Sequence, residues 1–358
     1  MSEMSTVPGI GDLERTPGLN APKSTNIDNT TLPSFLDYAF SENGGPGYQS
    51  ALVNMLKGIR IIGPGNQLAP VPDDTIGLVF VSRPLCNLSD ENVRLHPQLL
   101  PLYQPRPNSL MAYIKGLLDP VWGRGNPNDM LDPYTPWITP ITNLVKVSSG
   151  FPDLSLNMGK SQPGFRKEVR QFVDGILKYN HDFDMRQTYY NPKPNFLPYL
   201  FEAWLHYIDG VSLGDEGMEP YPEALDANYT DYDCRIYHMI LNKNMRSIEG
   251  IYCNAGCVPT TFPSGAFSTI DRTQDTLRGQ GQDEFEINFS SEGFRFGNIR
   301  VADMFNRCTL FFNENMHPQR RASYYRKLDF KSYYGQQYGR VYPWININNM
   351  ELEYWGPR

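Results

Sequence analysis

Three segments in the second half of the chain have the residue pattern of β-strands. Cys234–Asn242 is apolar on both sides and is separated from Ser247–Asn254 by a short polar turn, and Asp283–Ser290 alternates cleanly, with Phe285 and Ile287 on one side. Successive side chains of a strand point to opposite faces of a sheet. We therefore predict three strands of an antiparallel sheet, and this pattern constrains the fold more than any other feature of the sequence.

Two further segments carry apolar residues at helical spacing. Gly164–Tyr179 places Phe172 and four other apolar residues on one face, and Asn195–Ile208 is a more hydrophobic segment that contains Trp204. Pro198 falls in the first turn of the second segment, where proline is tolerated. We predict a helix over each range and, with the strands, an α+β fold.

The composition allows a folded core and argues against two classes of protein. Apolar residues make up 40% of the 358 residues, which is enough to form a core. The formal net charge of −7 argues against a dedicated nucleic-acid binder, since such domains are usually basic. No apolar run approaches the roughly 18 residues of a membrane-spanning helix. Met1–Ser5 has neither the basic nor the apolar stretch of a secretory signal, so we expect a soluble protein made in the cytoplasm, without a membrane partner.

The two ends of the chain differ in composition from its middle. Residues 1–34 contain no aromatic residue and are rich in Pro, Gly, Ser, Thr and Asn, so they cannot form a core of their own. We divide the chain into an extended N-terminal arm (1–48), a strand and helix region with long Pro- and Gly-rich loops (49–160), a β-sandwich domain with helices (161–310) and an aromatic, basic C-terminal arm (311–358).

Two charged segments of opposite sign indicate contact between subunits. Asp209–Asp233 holds eight acidic residues and no Lys or Arg, whereas cations outnumber acids between residues 318 and 340. We expect the acidic segment to meet the C-terminal cations of a neighbouring subunit, with a tube lumen, solvent, or nucleic-acid binding by the C-terminus as the alternatives. The interface candidates are Asp215, Glu216, Glu219, Arg320, Arg321, Arg326, Lys327, Tyr324, Tyr333, Trp344 and Trp355.

Common catalytic motifs are absent from the sequence. It contains no G-x-S-x-G turn, no Walker A loop and no H-E-x-x-H helix. Because a catalytic triad is defined by geometry rather than by chain order, an enzyme stays open as an alternative. We predict no catalytic or cofactor-binding residues.

One group of residues has ligand types suited to tetrahedral zinc. It combines Cys234-x3-His238 with Cys253-x3-Cys257. Residues four apart in a strand lie about 13 Å apart, so we interpret the cysteines as buried free thiols and predict no metal site. The carboxylates of Asp231 and Asp233 lack the spacing of a calcium loop, and we interpret them as solvated loop residues.

Residues 195–296 resemble the tube domain of contractile-tailed bacteriophages, above all the baseplate proteins on which the tail tube starts to polymerise. The shared order is a helix, an acidic linker, two strands, the segment Gly256–Thr260, a loop and the alternating strand Glu284–Ser290. The segment Gly77–Ser89 is also similar to part of the virion structural proteins of large phages.

The resemblance implies a β-sandwich of tail-tube type, with a helix beside it and no catalytic residues. It also implies a closed sixfold ring of identical subunits, in contact with other tube or baseplate proteins and with DNA passing only transiently through a lumen. The resulting hypothesis is a virion tail protein made in the host cytoplasm. A neck or tail-completion protein and a tail-associated cell-wall hydrolase are the alternatives.

Overall fold

The computed structural model describes residues 75–358, apart from 127, 154, 179–181, 193–194, 215–216, 228, 243–244, 269–283, 298 and 330–339. The predicted N-terminal arm, residues 1–48, lies outside the described residues. Within them, helices and antiparallel sheets occur together, which confirms the predicted α+β class. No helix of this part of the chain combines the length and the apolar composition needed to cross a membrane.

The described strands are β1 Ile76–Val81, β2 Val145–Ser149, β3 Ser155–Lys160, β4 Gln171–Lys178, β5 Phe183–Tyr190, β6 Cys234–Leu241, β7 Ile248–Pro259, β8 Glu284–Ser291, β9 Gly293–Phe296, β10 Tyr325–Lys327, β11 Tyr342–Asn346 and β12 Glu351–Pro357. The described α-helices are α1 Asp90–Val93, α2 Leu110–Leu118, α3 Pro120–Gly125, α4 Thr139–Leu144, α5 Phe196–Ser212, α6 Pro222–Ala227, α7 Ser264–Ser268, α8 Ile299–Phe312 and α9 Arg321–Tyr324. Short 3-10 helices cover Pro97–Leu102 and Glu314–Met316.

The main sheet has seven strands in the order β1-β6-β7-β8-β5-β2, with β9 paired to β7. Strands β6, β7 and β8 confirm the three strands predicted over Cys234–Asn242, Ser247–Asn254 and Asp283–Ser290. Strand β7 extends past Asn254 to Pro259 and contains a β-bulge. In the bulge, the four residues Asn254–Cys257 of β7 lie opposite the three residues Cys234–Ile236 of β6. Gly256 takes φ +61° in this bulge, a left-handed conformation that costs glycine little.

The main sheet contains strands from both the 49–160 region and the 161–310 region of the sequence. Strand β1 pairs with β6, and β2 pairs with β5, in each case antiparallel. Segment 49–160 therefore contributes two strands, at the two ends of the strand order, to the sheet that segment 161–310 completes.

Helix α5 covers one face of the main sheet and confirms the predicted helix over Asn195–Ile208. Leu200, Phe201 and Trp204 are fully buried and share a core with Ile287 and Phe289 of β8. The indole nitrogen of Trp204 donates to the carbonyl of Tyr232 at 2.9 Å. This hydrogen bond joins the helix to the segment that precedes β6. The helix ends at Ser212, so the acidic segment begins in its last turn.

The C-terminal residues differ from the extended arm that their composition predicts. Strands β10, β12 and β11 form a three-stranded antiparallel sheet in that order. Ile345 and Leu352 are buried in a second core with Phe305 of α8 and Ile251 of β7. The C-terminal segment, whose aromatic and basic residues suggested an interface, buries enough apolar surface to fold against the chain's own core.

The predicted helix over Gly164–Tyr179 is wrong. Within this range, Gln171–Lys178 forms β4, which pairs with the preceding β3 as an antiparallel hairpin, with Met158 opposite Val173 and Gly159 opposite Phe172. Val173 and Phe172 favour strands, and Gly175 disfavours the interior of a helix. An apolar pattern that fits a helical face therefore forms a β-ribbon here.

Candidate subunit-contact surfaces

The acidic segment forms an exposed surface at the end of α5 and along α6. The exposed carboxylates of its described residues, termed the acidic surface, belong to Asp209, Glu219, Glu223 and Asp226. Asp215 and Glu216, the other two interface candidates in this segment, lie outside the described residues.

Hydrogen bonds hold the acidic surface to the rest of the chain. The side-chain amides of Asn92 and Asn87 donate to the carbonyl of Glu219 at 2.6 and 2.9 Å. Two large apolar side chains accompany the carboxylates, Leu213 at 61% and Leu225 at 62% exposure. The surface is therefore negative, fixed in position and partly apolar, which suits a protein partner.

Not every carboxylate of the acidic segment faces solvent. Asp231 is buried and accepts a hydrogen bond from the hydroxyl of Tyr207, which corrects its interpretation as a solvated loop residue. Burial also raises the pKa of Asp233 to about 6. The charge that the segment presents to a partner is smaller than its count of acidic residues suggests.

Among the C-terminal candidates, Arg321 is held inside its own subunit. Its guanidinium lies 4.8 Å from the ring centre of Trp344 and 4.0 Å from that of Trp355. Burial lowers the pKa of Arg321, and Trp344 is itself buried. These three side chains join α9 to β11 and β12 through cation–π contacts.

Lys327 also has a partner within the chain. Its ammonium group lies 2.9 Å from Oε1 of Glu353, a buried carboxylate that also accepts from the indole of Trp355 at 3.1 Å. Arg320, Tyr324 and Arg326 are exposed in the same region. Tyr333 lies outside the described residues.

The β3–β4 hairpin is an exposed apolar element that the sequence analysis missed. Large apolar side chains cover it although about half or more of each is exposed: Leu156 52%, Met158 52%, Phe165 103%, Val169 48%, Phe172 51% and Val173 57%. Period-two placement of Leu156 and Met158 was the available indication in the sequence. The helical interpretation of 164–179 had instead assigned Phe165, Val169, Phe172 and Val173 to a buried face.

The zinc ligand types do not meet in a metal site. Cys234 and Cys257 are opposite each other on β6 and β7, both are buried and both are free. Burial raises the pKa of the Cys253 thiol to about 12, which keeps it protonated. Among the described residues, no three His, Cys, Asp or Glu side chains are placed to hold a metal ion.

A serine–histidine pair is the arrangement closest to catalytic machinery in the described residues. Ser148 Oγ lies 2.9 Å from His238 Nε2 and accepts from Gln187 Nε2 at 3.2 Å. Burial lowers the pKa of His238 to about 4, which makes the imidazole a weak base near neutral pH. Its Nδ1 has no hydrogen-bond partner, so no carboxylate orients the ring as a triad requires. The pair instead joins β2 to β6, which are four strands apart in the sheet, and so indicates that the sheet is strongly curved.

A family of sequences described as "Putative phage tail tube protein" matches residues 20–358. The chain belongs to this family. Membership confirms the predicted resemblance to tail tube proteins and identifies the chain as a tail-tube-related structural protein of the virion. No curated protein matches the sequence.

Solved structures of injection machines are similar to parts of this tail tube family member. The tube-terminating cap of the anti-feeding prophage matches with a TM-score of 0.25 and 10% identity, over 43% of this chain and 80% of that one. The sheath/tube terminator of the extracellular contractile injection system PVC matches with a TM-score of 0.24 and 8% identity, over 42% and 84%. The PVC sheath–tube complex gives a TM-score of 0.25 and 11% identity, over 43% and 80%. At TM-scores this low, the likeness carries no argument about this chain.

Proposed function

We propose that the chain is a ring-forming subunit of a contractile phage tail, located at the baseplate where the tube starts. The match to the tail tube family over residues 20–358 is the observation that supports a tube role most strongly. The baseplate position rests on the resemblance of residues 195–296 to tube-initiating proteins. In this proposal the protein is made in the host cytoplasm and functions in the virion without enzymatic activity or a cofactor.

The partners in this proposal are copies of the same chain in a hexameric ring, together with other tube or baseplate proteins. A ring needs two different, complementary surfaces on each subunit, because its contacts are head-to-tail. The chain offers an acidic surface and, elsewhere, exposed cations, which supports such a contact. DNA contacts the protein only transiently, through the lumen of the ring.

The interface candidates divide into two groups within the proposal. Glu219, Arg320, Tyr324 and Arg326 are exposed and would contact a neighbour directly; Asp215, Glu216 and Tyr333 stay candidates of the same kind. Arg321, Lys327, Trp344 and Trp355 contact each other or Glu353 and would act by holding the C-terminal sheet in place.

Antibody labelling of intact particles tests the position. Gold-labelled antibodies raised against the purified chain should bind at the baseplate end of the tail, and pre-immune antibodies should not. Label at the head-proximal end would replace the proposal with a neck or tail-completion role. Clearing of cell wall by the purified chain in a zymogram would instead favour the hydrolase.

A further inference from the structure

The β3–β4 hairpin has no structural partner within the described residues. Its strands pair only with each other in this part of the chain. The ladder continues towards the tip, where Gly164 donates to the carbonyl of Glu168 at 2.9 Å. A two-stranded hairpin alone in water is marginally stable, so the ribbon gains stability if another surface covers it.

One face of the hairpin is apolar and open. Met158 and Val173 are directly opposite each other, and Leu156 is two residues from Met158 on β3, beyond a shift in the register of the two strands. The three side chains are 52–57% exposed. Phe165 stands fully exposed at the tip. Contiguous exposed apolar side chains of this kind mark a protein contact site, and an aromatic residue at the tip is a typical anchor.

The charge of the hairpin selects its partner. The hairpin carries four exposed cations, Lys160 at the end of β3 and Arg166, Lys167 and Arg170 in the turn, against two acids, Glu168 and Asp174. None of the four forms an ion pair within the described residues, where the ion pairs join other side chains. Two hairpins packed face to face would bring like charges together, which opposes a symmetric hairpin dimer.

The acidic surface is the complement of the hairpin. Glu219, Glu223 and Asp226 are exposed, and the exposed Leu213 and Leu225 accompany them. The exposed surface of the hairpin contains cations and apolar side chains, and the acidic surface contains carboxylates and apolar side chains. The C-terminal cations fit the acidic surface less well, since Arg321 and Lys327 are already engaged within the chain.

We propose that the β3–β4 hairpin of one copy docks on the acidic surface of a second copy. This inference rests on the proposed ring-forming function and names the contact that builds the ring. Apolar contacts of Met158, Val173 and Phe165 with Leu213 and Leu225 provide the affinity, and the charges fix orientation and exclude the wrong pairing. The contact joins two different surfaces, so it repeats from subunit to subunit.

Charge reversal on the two surfaces tests the proposal. The hairpin variant carries Arg166→Glu, Lys167→Glu and Arg170→Glu; the surface variant carries Glu219→Lys, Glu223→Lys and Asp226→Lys. In each variant alone, the hairpin and the surface that it would meet on the next copy carry charges of the same sign. Self-association, measured by analytical ultracentrifugation, should therefore be weaker by about tenfold or more. An equimolar mixture should recover wild-type association, because each reversed surface then meets its opposite charge.

A matched variant controls for net charge. Arg106→Glu, Arg340→Glu and Arg358→Glu reverse three exposed arginines away from the hairpin and should leave association unchanged. Association of the hairpin variant at wild-type strength would overturn the inference. Rescue of the surface variant by Arg320→Glu with Arg326→Glu, in place of the hairpin variant, would also overturn it.

Zero-length carbodiimide cross-linking of a mixture of ¹⁴N and ¹⁵N protein gives an independent measurement. Peptides joining Lys160 or Lys167 to Glu219, Glu223 or Asp226 should include pairs with one light and one heavy half, because random pairing of the two forms across the contact also produces mixed pairs. Wild-type rings without these mixed cross-links would reject the hairpin contact and leave the proposed function standing. A wild-type chain that stays monomeric at every concentration would contradict the proposed function itself.

Discussion

Asp233 makes stability depend on pH at the scale of a single residue. Burial raises its pKa to about 6 from an ordinary value of 3.8, so the folded chain holds this proton more tightly than the unfolded chain. The stabilisation from this proton is complete below about pH 3.8 and is lost as the pH rises through about 6. A charged Asp233 therefore destabilises the fold at neutral pH.

Asp233→Asn should remove this dependence. Relative to wild type, the variant should gain about 2 kcal/mol more at pH 7.5 than at pH 4.5, given that one pKa unit corresponds to about 1.4 kcal/mol. Urea unfolding at the two pH values measures the difference. An equal effect of the substitution at both values would show that the carboxyl titrates normally in the folded chain.

His238 acts in the opposite direction. Burial lowers its pKa to about 4 from 6.5, so its contribution to stability is present above about pH 6.5 and is lost as the pH falls through about 4. His238→Gln, which keeps a polar partner for Ser148, should lose less stability between pH 7 and pH 4 than wild type, by roughly 3 kcal/mol. Equal acid sensitivity of the two proteins in unfolding titrations would contradict this assignment.

At the scale of elements, Arg321 holds the C-terminal sheet rather than contacting a partner. Arg321→Ala removes a cation that lies on Trp344 and Trp355 and should lower the free energy of unfolding by about 1–2 kcal/mol. The neighbouring Arg320 is exposed, so Arg320→Ala serves as the matched control and should change stability by less than about 0.5 kcal/mol. Unchanged stability of Arg321→Ala with weakened assembly would instead assign Arg321 directly to an interface.

Elements with a buried face were the predictable part of the fold. The strand β8 and the helix α5 each have one side in a core, so their apolar residues repeat with the period of the element, and β6 and β7 contribute residues to both cores, so they are apolar over most of their length. The hairpin lacks a core, and the spacing of Phe165, Val169, Phe172 and Val173 satisfied a helical face equally well. Its apolar residues were recognised as exposed only when the structure showed that, within the described residues, its two strands pair with each other and with no other strand.

The interface candidates were less predictable than the strands for a related reason. Composition identifies residues that favour contacts, such as Trp344 and Arg321, but it does not say whether a partner lies in the same chain or in another. Trp344 and Arg321 found partners within the chain. Glu219, Arg320 and Tyr324 remain exposed, and their role in assembly stays a prediction.

At the scale of the whole molecule, family membership and the contact surfaces lead to one architecture. A tail tube family member with a projecting basic hairpin and an acidic surface should repeat one head-to-tail contact until it closes. A head-to-tail contact forms a ring if the rotation between neighbouring subunits closes on itself, and an open filament if it does not. The shape of the assembly therefore shows which rotation this contact produces.

Electron microscopy of the purified chain at high concentration tests the ring most directly. The proposal predicts class averages of closed rings with a central opening and sixfold rotational symmetry, and it predicts their loss in the hairpin charge-reversal variant. Single subunits at every concentration, together with a single copy of the chain per virion, would contradict the account.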